Sequence, residues 1–450
     1  MPRPHPSAVS APGKVLLAGG YLVLDREYTA LVFGLSARIN VVAREIKTSP
    51  GVQLSEIIVN SPQFLEAEWR YGYHLAPEDG GIKVTQLQSG SSIDSNPFVE
   101  VTLSYALTYI AAKALRRSSH TFDPAQFTIL ADNDYYSQPH SMTGTQKNPT
   151  RFAKFPTTLK GAHKTGLGSS AALVTALTAA LLTHYLPESD FDLATSEGKR
   201  ILHNLAQAAH CAAQGKVGSG FDVAAAVYGS CKYHRFSPSL FNGIPETGAP
   251  GFAPALTTLV AETEWDVKIE KHGVSVPPGI TLRMCDVDCG SQTVGMVKKV
   301  LQWRESSPAD SKKLWDELES RNVRLGTILS EGKVDEIRPA VADIRELIRA
   351  MGSESDVPIE PATQTELLDA LGKLEGVYNG VVPGAGGYDA VVLLMKDDEA
   401  TEKRVKDFVA KWSEQKGGQV KLLGVRGEME GIRAENIREY DGWIDVETRS

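Results

Sequence analysis

The sequence lacks the features that mark a secreted, membrane-spanning or disulfide-built protein. Only 4 of its 450 residues are cysteine, and their spacing is irregular, which excludes a disulfide framework or zinc finger as the basis of the fold. No apolar run approaches the roughly 20 residues that cross a bilayer. The N-terminal residues also lack the continuous apolar segment and cleavage site of a signal peptide. We therefore expect a cytoplasmic protein without membrane insertion, with reduced and buried thiols at Cys211, Cys231, Cys285 and Cys289.

Basic residues are also outnumbered by acidic residues. The formal net charge is −8, from 47 Lys and Arg residues against 55 Asp and Glu residues. Binding to nucleic acid depends on neutralising many phosphates, so the sequence predicts no nucleic-acid partner. A small anionic ligand needs only one local group of cations and stays compatible with this charge. The 42% hydrophobic and 23% charged residues are typical of a globular protein, and the length predicts more than one domain.

The motifs of the familiar nucleotide-binding folds are absent as well. No G-x-x-x-x-G-K-[ST] string occurs, and no G-x-G-x-x-G follows a strand in the required way. Apolar periodicity instead predicts an α+β protein without internal repeats. Strands are predicted at Lys14–Leu17, 30–35 and 39–43, and helices at 171–185 and 195–214. A proline- and glycine-rich stretch at 237–253 predicts a linker, beyond which strands and helices alternate.

The strongest chemical signal is the segment Gly166–Ala172, Gly-Leu-Gly-Ser-Ser-Ala-Ala, which opens an alanine-rich helix. Glycines let the backbone approach an anion closely, and the free N–H groups of a helix N-terminus favour negative charge. The hydroxyls of Ser169 and Ser170 can hold phosphate oxygens or magnesium. A plain helix cap with a turn is the simpler alternative, but it would need only one glycine and one serine.

Three further features are ambiguous when each is taken alone. The segment Pro383–Asp389, Pro-Gly-Ala-Gly-Gly-Tyr-Asp, permits close approach to a ligand or a facing lobe, and it also fits a tight hairpin turn. Lys14 follows Ala-Pro-Gly and starts a strand, where a lysine usually only meets solvent. Asp222 follows Gly-Ser-Gly-Phe, where it could simply cap a helix. His203 and His210, seven residues apart on one helix, fit ordinary helix positions better than metal ligands.

Together these segments resemble the GHMP kinases, the superfamily of galactose, homoserine, mevalonate and phosphomevalonate kinases. Residues 12–21, PGKVLLAGGY, look like the first motif of that family, residues 166–172 match the second, and residues 384–387, GAGG, resemble the third. The longer strings AGGYLVLDREYTALVFGLSARI, KTGLGSSAALVTALTAALL, HCAAQGKVGSGFDVAAAVYG and CDVDCGSQTVGMVKKV resemble phosphomevalonate kinases of the fungal type.

The chain departs from the family pattern in several places. Gly19-Gly20 stands where Gly-Glu is common, Lys164 replaces a proline, and Tyr388 interrupts the third glycine run. Mevalonate kinases also carry a magnesium-holding glutamate on the helix before the catalytic aspartate. That helix has no acid at the corresponding positions here, where the residues are Gln207, His210, Cys211 and Gln214.

The resemblance implies a two-lobed α+β fold with the active site between the lobes. The N-terminal lobe, 1–245, would resemble domain 2 of ribosomal protein S5 and bind ATP. The C-terminal lobe, 255–450, would be ferredoxin-like. The implied activity is transfer of the ATP γ-phosphoryl group to 5-phosphomevalonate, by a monomer or homodimer.

The resemblance also implies roles for individual residues. Lys14 and Asp222 would be catalytic, and Ser170 would bind Mg²⁺. ATP would be held by Lys164, Gly166, Leu167, Gly168, Ser169, Ser170 and Ala171. The substrate would be held by Lys14, Gly20, Tyr21, Ser219, Asp222, Ser291, Thr293, Gly386 and Gly387. The cations that meet the acceptor's own phosphate stay open among Lys154, Lys160, His163, Lys164, Lys216 and Lys298.

Two other functions fit the same motifs. A GHMP kinase acting on an alcohol, such as mevalonate or a sugar, would carry the same nucleotide-binding segments. A catalytically inactive relative that binds ATP and signals to a protein partner is the other alternative, and the presence of both Lys14 and Asp222 argues against it.

Overall fold

Strands from both halves of the chain meet in one mixed sheet with helices packed against it. The computed structural model describes residues 6–49, 55–87, 94–114, 122–137, 151–271, 273–288 and 293–444. Its strands are β1 (Ser7–Ala18), β2 (Ala30–Glu45), β3 (Glu56–Asn60), β4 (Glu68–Leu75), β5 (Ile82–Gln86), β6 (Ala125–Ala131), β7 (Cys231–His234), β8 (Lys268–Glu270), β9 (Ile280–Asp288), β10 (Val377–Val381), β11 (Ala390–Lys396), β12 (Gln419–Glu428) and β13 (Arg433–Glu435). Its α-helices are α1 (Pro97–Ala114), α2 (Ser169–Tyr185), α3 (Ser196–Gln214), α4 (Phe221–Tyr228), α5 (Phe252–Thr257), α6 (Thr293–Ser306), α7 (Pro308–Ser330), α8 (Val334–Ser355), α9 (Ala362–Leu371) and α10 (Glu399–Lys416).

The strand order explains how the two halves are joined. Hydrogen bonding orders the main sheet as β10-β11-β9-β12-β2-β6-β3-β4-β5, and β1 pairs with both β2 and β13. β12 is shared, because its first residues pair with β9 and its last two, Gly427 and Glu428, pair with β2. This shared strand therefore joins the two halves within one sheet.

β2 is one long strand where the sequence predicts two, at 30–35 and 39–43. Its start pairs with β7, its middle with β12 and its end with β6. The apolar pattern is interrupted by the exposed Ser36, whose hydroxyl accepts a hydrogen bond from the Arg426 N–H at 3.0 Å. The prediction of two strands is wrong because β12 pairs with β2 at the interruption and keeps the strand continuous.

The alanine-rich helix α2 lies in the core of the N-terminal half. Ala172, Ala176 and Ala179 are 0% exposed, and the helix contacts β1, β2, α1, α3 and α4. Close packing in a protein interior follows side-chain volume, so these small residues let the helix lie close to the sheet. The predicted helix at 171–185 is confirmed, and its first turn faces β1.

In the C-terminal half, β10, β11, β9 and β12 form an antiparallel arrangement. A separate apolar cluster that includes Leu367 of α9 and Val405 of α10 packs with residues of these strands. Helices α7 and α8 contact each other extensively.

Strand pairing crosses the predicted boundary between residues 1–245 and 255–450. β8 pairs with β7, and β13 pairs with β1. The Tyr440 hydroxyl also donates to Asn40 Oδ1 at 2.9 Å. The division stays a prediction, and the packing places the last strand of the chain against the N-terminal half.

The cysteines that the structure describes are thiols, as the sequence predicts. Cys211, Cys231 and Cys285 are free and buried, whereas Cys289 lies outside the described residues. Burial raises the pKa of Cys231 and Cys285 to about 12, so both are protonated at neutral pH and poor nucleophiles. None of the described helices is long and apolar enough to cross a lipid bilayer.

Acid should weaken the fold through His203. Burial lowers the pKa of this imidazole from 6.5 to about 4, so the unfolded chain binds the proton more tightly. Stability from this group is complete above pH ~6.5 and decreases as the pH falls toward 4, by about 2 kcal/mol at pH ~5. In thermal melts, the Tm of His203→Gln should decrease by less than the Tm of the wild type when the pH is lowered from ~7.5 to ~5. Equal losses in both proteins would contradict this assignment.

Candidate active site

β1 packs directly against the glycine loop before α2. The N–H of Lys14 donates to the carbonyl of Leu167 at 2.9 Å. A Cβ at Gly13 would lie 2.8 Å from that carbonyl oxygen and 2.8 Å from the Tyr135 hydroxyl. Real Cβ atoms do not approach so closely, so this contact requires glycine, and the β1–β2 register shifts at the same point.

The first turn of α2 is arranged to receive an anion. Gly166 and Gly168 have φ of +74° and +79°, a conformation that favours glycine. Gly168 caps the helix and has no side chain with which to accept a hydrogen bond from the amides of the first turn. By contrast, Thr195 caps α3 and Asp398 caps α10 with side-chain oxygens. The start of α2 therefore offers backbone amides and a positive dipole end to a ligand.

The side chain of Lys14 crosses this turn. A Cβ at Gly168 would lie 2.7 Å from Lys14 Cε, and Lys14 Nζ is 5.5 Å from the centre of the Phe221 ring. The ammonium group thus lies between the starts of α2 and α4. Burial lowers its pKa, and the carboxylate of Asp222 opposes that effect.

Asp222 lies in the first turn of α4, which begins after Gly220 in a left-handed conformation. Its Oδ1 accepts a hydrogen bond from the Val223 N–H at 3.0 Å, but Gly220, not Asp222, is the N-cap of the helix. Its Oδ2 faces the interior and lies 3.9 Å from Nδ1 of His210. The side chain is 21% exposed, so its neighbours hold it in place while a ligand can still reach it.

The third glycine segment contacts the C-terminal end of β1 and the residues just after it. A Cβ at Gly20 would lie 2.0 Å from the Gly384 carbonyl oxygen. The Tyr21 hydroxyl donates to the Ala385 carbonyl at 2.8 Å, and the Gly384 N–H donates to the carbonyl of Leu16 at 3.4 Å. All three glycine segments therefore converge on one strand.

The remaining glycines of that segment pack on the connection between α8 and α9. The Gly387 N–H donates to the Ile359 carbonyl at 2.9 Å, and the Gly386 N–H donates to Pro383 at 3.1 Å. Both amides, like the Tyr21 hydroxyl, already have partners within the protein. Substrate binding by these residues stays a prediction, and the role that the geometry gives them is to join the lobes.

The buried carboxylate of Glu360 anchors that connection. Arg345 donates to it at 2.7 Å and Arg349 at 2.9 Å, and the Thr365 hydroxyl adds a bond of 3.0 Å. A buried carboxylate with several donors is a rigid anchor. It fixes the backbone beside Ile359, against which the third segment packs.

Two residues that the sequence analysis did not single out fix the loop before Asp222. The guanidinium of Arg235 donates to the carbonyls of Leu24 at 2.7 Å, Val217 at 3.2 Å and Gly218 at 2.9 Å. The Tyr233 hydroxyl donates to the Ser219 carbonyl at 2.8 Å. Neither residue belongs to a recognisable motif, and only the fold brings them to the loop.

Other predicted residues have mixed outcomes. Ser219 is partly exposed beside α4, and Lys164 is exposed in a single bridge to Tyr136. Ser291 lies outside the described residues, whereas Thr293 begins α6. Among the described residues, no group of three or more His, Cys, Asp and Glu side chains could hold a metal.

That finding suits Mg²⁺ bound mainly by phosphate. Magnesium in kinases uses one or two protein ligands and completes its shell with substrate oxygens and water. The partly exposed hydroxyl of Ser170, in the first turn of α2, offers such a ligand next to the free amides. The donor set therefore fits a magnesium ion that arrives with a nucleotide.

Comparison with known proteins agrees with this arrangement. Residues 153–230 match the GHMP kinases N terminal domain, and residues 337–415 match the GHMP kinases C terminal domain. Phosphomevalonate kinase ERG8 of Gibberella zeae is 66% identical over 98% of this chain and 99% of its own length. The peroxisomal phosphomevalonate kinase of Arabidopsis thaliana is 34% identical over 87% of this chain and 90% of its own.

A solved structure shows the same fold. Streptococcus pneumoniae phosphomevalonate kinase in complex with phosphomevalonate and AMPPNP has a TM-score of 0.60 at 18% identity, covering 94% of this chain and 99% of that one. The predicted two-lobed GHMP kinase fold is thereby confirmed. On sequence and fold together, this chain belongs to the phosphomevalonate kinase family of the GHMP kinases.

Proposed function

We propose that the protein transfers the γ-phosphoryl group of ATP to (R)-5-phosphomevalonate, which gives 5-diphosphomevalonate and ADP in the mevalonate pathway of isoprenoid and sterol biosynthesis. One observation carries the proposal. The three glycine segments and Lys14 converge in a chain that is 66% identical to a fungal phosphomevalonate kinase over 98% of its length.

In this proposal the triphosphate lies over residues 166–171. The amides at the start of α2 lack a capping side chain, so phosphate oxygens can complete their hydrogen bonding. The open space around Gly166, where a Cβ would meet nothing within 4 Å, leaves room for the ligand. The Ser170 hydroxyl and the phosphates would hold Mg²⁺, which would neutralise the negative charge that develops during transfer.

The main task on the acceptor side is electrostatic. A phosphate monoester has a second pKa of about 6 and is largely a dianion at neutral pH, so it needs no strong base to activate it. Phosphoryl transfer depends mostly on positioning and charge neutralisation. Lys14, between the starts of α2 and α4, supplies positive charge where two polyanions must meet. Asp222 orients Lys14 or the acceptor.

The identity of the acceptor can be tested directly. The protein is incubated with Mg-ATP and, separately, with mevalonate, phosphomevalonate or galactose, and the products are followed by phosphorus NMR. A new pyrophosphate signal with phosphomevalonate alone is expected. A new monoester signal would instead select an alcohol kinase, and no turnover would select an inactive ATP-binding relative.

Replacement of Lys14 by Ala should lower kcat by at least ~10²-fold, the scale of losing one preorganised electrostatic stabiliser. Asp222→Asn should cost less than this, because a dianionic acceptor does not depend on proton removal. Lys232→Ala is a matched control, since Lys232 also lies on a strand and forms an ion pair with the exposed Glu270 at 3.7 Å. Steady-state kinetics decide the matter, and a Lys14 variant as active as the control would contradict the proposed role.

The alkaline limb of activity should report on Lys14. Burial lowers the pKa of its ammonium below 10.5, and Asp222 raises it. The charged form neutralises the phosphates, so activity should fall as the pH rises through this pKa. Removing the carboxylate in Asp222→Asn removes the raising effect, so the alkaline limb of the kcat/KM profile should move to lower pH. A limb that stays in place or moves upward would exclude this coupling.

A cytoplasmic location and a monomeric or homodimeric state stay predictions from the sequence. The magnesium requirement is likewise proposed, from the donor set around Ser170.

A further inference from the structure

His210 connects the two sides of the site. It lies in the last turns of α3 and is 2% exposed, with its ring next to Phe98, whose centroid is 5.8 Å away. Its Nε2 is 3.2 Å from the Ser170 hydroxyl oxygen, and its Nδ1 is 3.9 Å from Asp222 Oδ2. One buried imidazole therefore stands between the proposed metal ligand and the carboxylate on the acceptor side.

The neighbours of the ring determine its tautomer. The side-chain amide nitrogen of Gln214 is 3.2 Å from Nε2, and an amide nitrogen can only donate. Nε2 is therefore the acceptor, which places the proton of the neutral ring on Nδ1. Nδ1 faces the carboxylate of Asp222, which can only accept. The Asp222 carboxylate lies 3.9 Å from Nδ1, beyond hydrogen-bonding distance, and is compatible with the tautomer that Gln214 selects.

This tautomer fixes the direction of the Ser170 hydroxyl. Since Nε2 accepts, Ser170 donates its proton to the one lone pair of Nε2, which it shares with the Gln214 amide, and this leaves the oxygen lone pairs free on the side away from α3. A hydroxyl binds a cation through those lone pairs, so its own proton must point elsewhere. Partners of this kind orient metal ligands, and their loss typically costs 10–100-fold in metal affinity, as an order of magnitude.

We propose that His210 is a positioning residue that holds Ser170 in the orientation that binds magnesium. The inference rests on the proposed function, because it takes Ser170 as the metal ligand. An imidazole performs this task without adding negative charge where a triphosphate and a dianionic acceptor must meet. A carboxylate in the same place would repel both ligands.

The same helix supplies a matched control. His203 is also buried, at 1% exposed, but its Nδ1 contacts Asn204 at 3.1 Å and its ring packs near Tyr228 and Trp265. Among the contacts of the described residues, the His203 ring makes none with Ser170 or Asp222. Replacing His203 therefore disturbs α3 to a similar degree without touching the site.

Calorimetry of nucleotide binding tests the inference without relying on turnover. The Kd of AMPPNP is measured with excess Mg²⁺ and with EDTA, and the ratio of the two values gives the contribution of magnesium. His210→Ala should lower this ratio by about 10-fold or more. His210→Gln, whose amide oxygen can reach the place of Nε2, should retain most of it. His210→Asn, whose amide replaces Nδ1 instead, should behave like the alanine variant, and His203→Gln should match the wild type.

Each outcome decides the question. A ratio unchanged in His210→Ala, or lowered equally in His210→Gln and His210→Ala, would overturn the inference, the second because it would reduce His210 to a packing residue. Thermal melts show whether each variant is folded. Comparison of His210→Gln with His210→Asn separates the Nε2 contact with Ser170 from the Nδ1 side of the ring, even if the alanine variant is unstable. A wild-type protein that binds Mg-AMPPNP but transfers no phosphoryl group would refute the proposed function alone.

Discussion

The contact between β1 and the loop before α2 fixes the geometry of the whole site. At Gly13 the two meet without an intervening side chain, because a Cβ there would lie 2.8 Å from the Leu167 carbonyl oxygen, and the Lys14 N–H to Leu167 carbonyl bond of 2.9 Å joins backbone to backbone. The direction of the Lys14 side chain then follows from the strand. The C-terminal end of β1 and Gly20 just beyond it touch Gly384, so β1 carries the acceptor-side cation and contacts both the phosphate-binding loop and the third glycine segment.

The site meets a large negative charge with few full positive charges. It offers backbone amides, hydroxyls and an imidazole around the partly buried Lys14, which agrees with a chain of net charge −8. Amides and hydroxyls held in place by packing cost little reorganisation when charge shifts during transfer. The lysine has its greatest effect in such surroundings, since a charge acts more strongly where water is excluded. Burial, which lowers the pKa of Lys14, thus comes from the same packing that strengthens its field.

Local patterns in the sequence predict the parts of the site that local chemistry determines. The glycines and serines of residues 166–170 indicate an anion-binding helix start because each residue type there has its own conformational or bonding reason. Contacts between distant segments could not be predicted in this way. The pairing of β13 with β1, the Arg235 bonds to the loop before Asp222 and the place of His210 all depend on the tertiary fold. The periodicity of α3 shows which face is buried, but it does not show that this face meets Ser170.

The central claim is that the amides at the start of α2 hold the nucleotide phosphates while Lys14 faces the transferred group. A crystal structure with AMPPNP, Mg²⁺ and phosphomevalonate tests it most directly. The account predicts phosphate oxygens within hydrogen-bonding distance of the amides of residues 168–171, the metal on the Ser170 hydroxyl, and Lys14 Nζ between the γ-phosphate and the acceptor. A nucleotide bound elsewhere, with residues 166–171 free of phosphate, would contradict it.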